Sequence, residues 1–344
     1  MVTKIKIFIF FTIASFCLFS YYSLYAFQMG APVKAEWWLK EVIVKKTDLL
    51  SKIDSPERII IISGSNSLMG FDSSVIEKGT GIPTFNFGLH ASLDMNYLSK
   101  IANGITRPGD IFIAPLEYSF YLRENRYSDW FINNMLGWGS DYLSGLGFID
   151  KLMFFTHTEA KRVFEGLFAT PRKVMASEHD IKRFIPNGEY RGYSYKSIKQ
   201  NGDITTPDSS TNYVIDLVSS NGQVSNMLSY QSDKSPQDYS ISQIVELKKT
   251  IESKGGKLII IWPVSIESKL FNKNNESSTR FINSIKSKMM ESGIKVHCNP
   301  YEFNIPHGYF FDTYYHLNRE GEKIRSAAVM NCLKREKLLP IHGL

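Results

Sequence analysis

The chain has 344 residues, 43% of them hydrophobic and 22% charged, enough to bury a sizeable core in one large or two small domains. Its formal charge of +6 is modest and has no concentrated basic block outside the termini, which argues against nucleic-acid binding and suits a protein near anionic surfaces. Cys17, Cys298 and Cys332 lack metal-ligand spacing, as do the histidines and carboxylates, so neither a metal nor another cofactor is expected.

Residues 1–28 read as a transmembrane signal anchor. Lys4 and Lys6 precede Ile7 to Phe27, a run without charge and about the 20 residues that span a bilayer. The preceding lysines favour a cytoplasmic N-terminus and an extracytoplasmic globular part, although Lys34, Lys40, Lys45 and Lys46 reduce the asymmetry. A cleaved signal peptide is the alternative, but no A-x-A-like site stands near Ala26 or Ala31. Residues 29–56 form a juxtamembrane segment, in which Glu36 to Ile53 has the pattern of an amphipathic helix. Its paired Trp37 and Trp38 fit either the headgroup layer or the surface of the globular domain.

The domain proper is expected over 57–344. Arg58 to Gly70 reads RIIIISGSNSLMG: four β-branched residues suited to a strand buried on both faces, then small polar residues. Ligands of α/β sheets bind outside the carboxyl ends of strands, so Ser65 stands where a nucleophile can be presented. The same residues also suit an ordinary turn. GSNSLMG lacks the lysine of a phosphate-binding loop. Further strands are expected at Pro83 to Phe87, Asp110 to Pro115, Leu258 to Pro263 and Ile294 to His297. Helices are expected at Ser73 to Lys78, Leu93 to Gly104, Ile241 to Lys254, Ser278 to Ser292 and Asn318 to Lys337. This is the pattern of a doubly wound parallel sheet of about five strands. An insert at 117–239 begins rich in aromatics, most of them expected in a core, with helix around Asp150 to Phe168. It turns polar from Asn187 to Ser235, and long inserts are commonly lids or binding loops.

Near the C-terminus, FFDTYYHLNREGEKIRS places Asp312 and His316 just before a helix with Asn318 as its N-cap. A serine nucleophile needs a base to take its proton and a carboxylate to orient the imidazole, and these positions supply both.

Together, GSNSLMG, NFGLH, PGDIFIAPLEY and DTYYHLN resemble the SGNH hydrolase superfamily, and within it the membrane-anchored SGNH-like proteins of cell-envelope polysaccharide and teichoic-acid systems. The resemblance runs from about Arg58 to Leu339. It implies a flavodoxin-like sheet and acyl-ester chemistry outside the membrane. Ser65 matches the nucleophile, Asp312 and His316 the final block, and Gly88, after Asn86, a glycine whose N–H helps to form an oxyanion hole. Three departures stand out. Asp312 and His316 are one residue further apart than the D-x-x-H of many members. Pro115-Leu116-Glu117-Tyr118 replaces the block whose Asn donates to the oxyanion, so Asn66, Asn86 or His90 is expected to substitute. Ser67 is a second serine beside Ser65.

Two functions follow: an O-acyltransferase or acyl-esterase acting on a cell-surface glycan, or a non-catalytic partner that binds glycan or a multi-spanning membrane acyltransferase. His157, His179, His297, His307 and His342 are expected to be structural or surface residues.

Overall fold

A computed structural model describes residues 2–31, 33–169, 189–190, 193–206, 234–268 and 271–339. Most of the polar stretch Asn187 to Ser235, together with His179 and His342, lies outside the described residues. The chain divides into two compact units, residues 1–40 with 127–187, and residues 41–126 with 188–344. This differs from the expected boundaries, because the aromatic-rich stretch from Tyr127 groups with the N-terminal segment.

In the second unit, five strands among the described residues form one all-parallel sheet. They are β1 (Ile59–Ile61), β2 (Thr84–Asn86), β3 (Ile111–Pro115), β4 (Lys257–Ile261) and β5 (Val296–His297), in the order β2-β1-β3-β4-β5. Pairing runs Ile59 to Thr84, Ile59 to Ile111, Ile111 to Lys257 and Ile260 to Val296. All residues of β1, β2 and β3 are buried, which explains why β1 and β3 are continuous apolar runs instead of alternating ones. The order reverses between β1 and β3, the kind of switch point at which open α/β sheets leave a crevice.

Among the described residues, the helices of the first unit are α1 (Val2–Ala26), the start of α2 (Trp37–Ser51), α6 (Asp129–Trp138), α7 (Ser140–Ser144), α8 (Phe148–Thr156) and α9 (Ala160–Phe168). The second unit holds the one-turn α3 (Ser65–Leu68), α4 (Ser73–Thr80), α5 (Met95–Ile105), α10 (Asp238–Ser253), α11 (Glu276–Glu291) and α12 (Arg319–Arg335). Within it α5 packs on α10 and α4 on α12. With right-handed crossovers, these pairs cover opposite faces of the sheet. Asn318 caps α12 by accepting from the Gly321 N–H at 3.0 Å, as its position in the sequence implies.

α1 is long and apolar enough to cross a membrane. Trp37 and Trp38 are buried, and Glu36 accepts from the indole N–H groups of both Trp38 (2.9 Å) and Trp130 (3.0 Å). The paired tryptophans therefore pack against protein. Tyr118, Phe120, Tyr121, Phe131 and Trp138 are also buried, so most of the insert's early aromatics serve as core. Cys298 and Cys332 form a disulfide that ties the end of β5 to α12, and beside it Glu336 accepts from the Cys298 N–H and lies 2.8 Å from His297 Nδ1.

Below the sheet, Arg58 makes a two-point contact with Asp110 (2.8 and 2.7 Å) and donates to the Leu50 and Ile105 carbonyls. Both charged side chains are buried. Arg58→Ala leaves Asp110 buried without its counter-charge and is expected to cost about 3–5 kcal/mol, read as a lower urea midpoint. An unchanged midpoint would show that the pair is dispensable.

Candidate active site

The Ser65 end of the sheet is built around a buried carboxylate. β1 ends at Ile61, and Ser63 and Gly64 lead into the single turn α3, with Ser65 as its first residue. Glu117, two residues beyond β3 and fully buried, reaches across to this turn. Its Oε1 accepts from the Asn66 N–H (3.0 Å), and its Oε2 from the Gly64 N–H (3.2 Å) and the Ser63 hydroxyl (2.8 Å). A side chain at Gly64 would collide with this carboxylate and with the Ala91 backbone, so the close approach requires glycine. Asn66, also fully buried, donates to the Pro115 carbonyl at 2.9 Å. Its side-chain and backbone oxygens both accept from Arg325 of α12, whose guanidinium also lies over the Phe71 ring. Burial pushes the Arg325 pKa down to about 9, opposed by the negative charge of Glu117.

The second block lies alongside. The Phe87 and Leu89 N–H groups donate to the Ile61 and Ser63 carbonyls, which lays residues 87–91 beside the turn. Gly88 packs so closely on the Ser67 and Leu68 backbone that a Cβ has no room. Arg123 braces the loop by donating to the Leu93 carbonyl at 2.6 Å and to the Ala91 carbonyl. His90 is half-buried in this loop, with Nδ1 accepting from the Ser92 N–H at 3.1 Å.

The final block closes the group. His316 Nδ1 lies 2.8 Å from Asp312 Oδ1, with His316 buried and Asp312 partly exposed. Thr313 Oγ1 accepts from the N–H groups of Tyr315 and His316, and the Phe311 N–H donates to the His316 carbonyl. This small closed turn takes up the extra residue of D-x-x-x-H, so the longer spacing still brings the pair into contact. Leu317 donates to the Met69 carbonyl at 2.7 Å, and the Met69 N–H to the Ser65 carbonyl at 3.0 Å. His316 is thereby tied through backbone bonds to the turn that carries Ser65. Ser65 is half-buried, and its hydroxyl has no hydrogen-bond partner among the described residues.

The expected oxyanion donors are differently placed. The Gly88 N–H donates to Asn86 Oδ1 at 2.8 Å, because the asparagine side chain folds back over its own loop. Asn86 Nδ2 is committed to the Ser67 carbonyl at 2.8 Å, and Asn66 Nδ2 to Pro115. These groups hold the loops together in this conformation. Among the described residues, the Ser65 N–H has no acceptor. A cleft lined by Asn96, Asp238, Glu246, Lys288 and Glu291 contains none of Ser65, Asp312 or His316. A scan against family models finds no match, and a search of curated proteins finds no significant relative.

Several polar residues without a sequence-assigned role emerge here. Glu117 and Arg325 organise the turn. Lys46 of α2 is fully buried and donates to the Gly88 carbonyl at 2.8 Å, and burial lowers its pKa to about 7. Asp203 accepts from both the N–H and the hydroxyl of Ser73. Burial raises its pKa, and burial with the nearby Asp203 charge raises that of Glu322 to about 9. Among them, Glu117 carries a sequence-level signal, a charged residue just past a buried strand.

The consequence for stability has a definite sign. Glu322 keeps its proton in the fold up to about pH 9, whereas an unfolded glutamate releases it near 4.5. Between those values the folded state binds more protons, so raising the pH favours unfolding. Asp203 acts in the same direction. Lys46 adds a slope of opposite sign only above about pH 7, since below that it is protonated in both states. Thermal stability is expected to fall between about pH 5 and pH 7, by on the order of 1–3 kcal/mol from Glu322. Glu322→Gln should flatten that fall in a series of thermal melts, and an unchanged slope in the variant would refute the assignment.

Proposed function

We propose that this chain is a membrane-anchored, SGNH-type O-acyltransferase or acyl-esterase that acts on a cell-surface polysaccharide. The observation that supports it is the Asp312–His316 hydrogen bond, carried by a loop tied to the Ser65 turn at the carboxyl end of a parallel sheet. Asp312 accepts from the Nδ1–H tautomer and leaves Nε2 as the base. In the reaction, Ser65 Oγ attacks the carbonyl carbon of an acyl ester while His316 takes its proton. The tetrahedral intermediate collapses, and the alcohol leaves with the proton returned by His316. Water or an acceptor hydroxyl then resolves the acyl-serine by the same steps. The missing Ser65–His316 hydrogen bond is compatible with an unliganded site, where such contacts are often long. The polysaccharide acceptor follows the resemblance in residue pattern to the envelope proteins.

An extracytoplasmic domain fits the lysines before α1 and the Cys298–Cys332 disulfide, since disulfides persist outside the reducing cytoplasm. Protease added to intact spheroplasts should degrade the globular part, and full protection would reverse the orientation.

A second reading has its own observation. Glu117 occupies the Gly64 and Asn66 N–H groups with an internal carboxylate. Losing one oxyanion donor removes about 3–4 kcal/mol of transition-state stabilisation. The fold would then serve as a glycan-binding or acyltransferase-binding accessory protein.

Replacement of the serine separates the two. Glycan acylation in complemented cells, at matched protein level, is expected to be lost with Ser65→Ala and with His316→Ala. Asp312→Asn should reduce it by about 10⁴-fold at most, through the wrong imidazole tautomer. Ser67→Ala should leave it far less affected. Full complementation by Ser65→Ala at normal abundance would reject the enzymatic reading.

A further inference from the structure

The first unit carries an apolar surface that its own core does not use. On α8, Phe148 and Ile149 are 78% and 67% exposed, and Leu152 and Met153, one turn on, are exposed as well. On α9, Phe164 and Phe168 are 63% and 72% exposed, with their rings 5.1 Å apart on one side of the helix. The side chains that these helices bury include Phe154 and Phe155 of α8 and Val163 and Gly166 of α9. Each helix nonetheless turns large apolar side chains outward, a feature that marks an interaction surface.

The same helices are fixed to the end of α1. Phe155 of α8 packs edge-on against Tyr21 (3.9 Å between ring centroids) and Tyr25 (5.2 Å). The Tyr21 hydroxyl donates to the Thr158 carbonyl at 2.9 Å. Just past α1, Gln28 donates to the Val163 carbonyl of α9 at 3.0 Å and accepts from Arg162. α9 comes so close there that a side chain at Gly166 would collide with Gln28.

These contacts fix a depth. Tyr21 lies six residues before Phe27, where the uncharged run ends. At 1.5 Å per residue this places it about 9 Å inside the end of the span. Helices lying in a membrane interface bury their apolar face about 5–10 Å into the headgroup and acyl boundary. The level at which α8 grips α1 is thus the level of that boundary.

We infer that α8 and α9 lie in the membrane–water interface beside α1, with Phe148, Ile149, Leu152, Phe164 and Phe168 seated in lipid. This rests on α1 being a membrane span. It assigns to these phenylalanines the interfacial role that Trp37 and Trp38, buried in protein, do not fill.

The test uses the full chain reconstituted in phosphatidylcholine–phosphatidylglycerol vesicles, with an environment-sensitive fluorophore on single cysteines. Cys17, the exposed free cysteine within α1, serves as the bilayer control, and Glu276→Cys on α11 as the aqueous one. Phe148→Cys and Phe168→Cys, each in a Cys17→Ser background, carry the probe on α8 and α9. The expected result is that both lose most of their emission to lipids bearing a shallow nitroxide and little to aqueous iodide, whereas Glu276→Cys does the reverse. Substituting side chains this exposed removes little packing, and thermal melts verify that each variant is folded. If Cys17 is quenched by lipid but positions 148 and 168 only by iodide, the interfacial seat is wrong and the anchor stands. Quenching of 148 and 168 by neither agent, with Cys17 quenched by lipid, means a second copy covers the face and also overturns the inference. If Cys17 is quenched by iodide alone, the span and the seat fall together.

Discussion

The Glu117 carboxylate is the constraint on which the candidate site depends. A charge buried this completely must be paired and hydrogen-bonded, or its desolvation makes the fold untenable. The chain meets the requirement with the Ser63 hydroxyl and the Gly64 and Asn66 N–H groups, which must all converge on one point. Residues 63–66 satisfy it only by curling immediately after β1, and that curl is the turn that presents Ser65. Asn66 then hands the network on to Arg325, whose positive charge offsets the buried anion. Since Arg325 lies on α12, which starts three residues after His316, a single buried charge links both ends of the proposed catalytic group.

Much of this was legible in the sequence wherever local chemistry decides structure. Ile59 to Ile62 could hardly be anything but a strand buried on both faces, and Asn318 announces α12 through a capping bond made within its own first turn. Asp312 and His316 were legible as a pair because they share one short loop. Contacts between distant segments were not legible. Nothing local shows that Gly88 spends its N–H on Asn86, since that depends on how the asparagine side chain folds back over a loop packed against Ser67. Lys46 reads as one more lysine on an amphipathic helix until the fold removes all water from it. The division between the two units was hidden for the same reason. Tyr127 to Phe168 follows the third strand in sequence, but its apolar side chains find their partners in the N-terminal segment.

The hydrogen bonds around Ser65 also constrain what chemistry the turn could support. Backbone N–H groups at the end of a buried strand are the natural place to stabilise a negative charge that appears only in a transition state. Here two of those groups already donate to the Glu117 side chain. Their contribution goes to the stability of the turn, present in ground state and transition state alike, and interactions that do not change along the reaction accelerate nothing. Acyl chemistry at Ser65 would draw on what remains: the Ser65 N–H, and the field of Arg325, which cancels the repulsion Glu117 would exert on a nearby oxyanion. The positive partner is therefore as necessary to an enzymatic reading as the serine. With the charge balanced in this way, a nucleophile can work beside a buried anion; without Arg325, the same turn would repel the intermediate it has to stabilise.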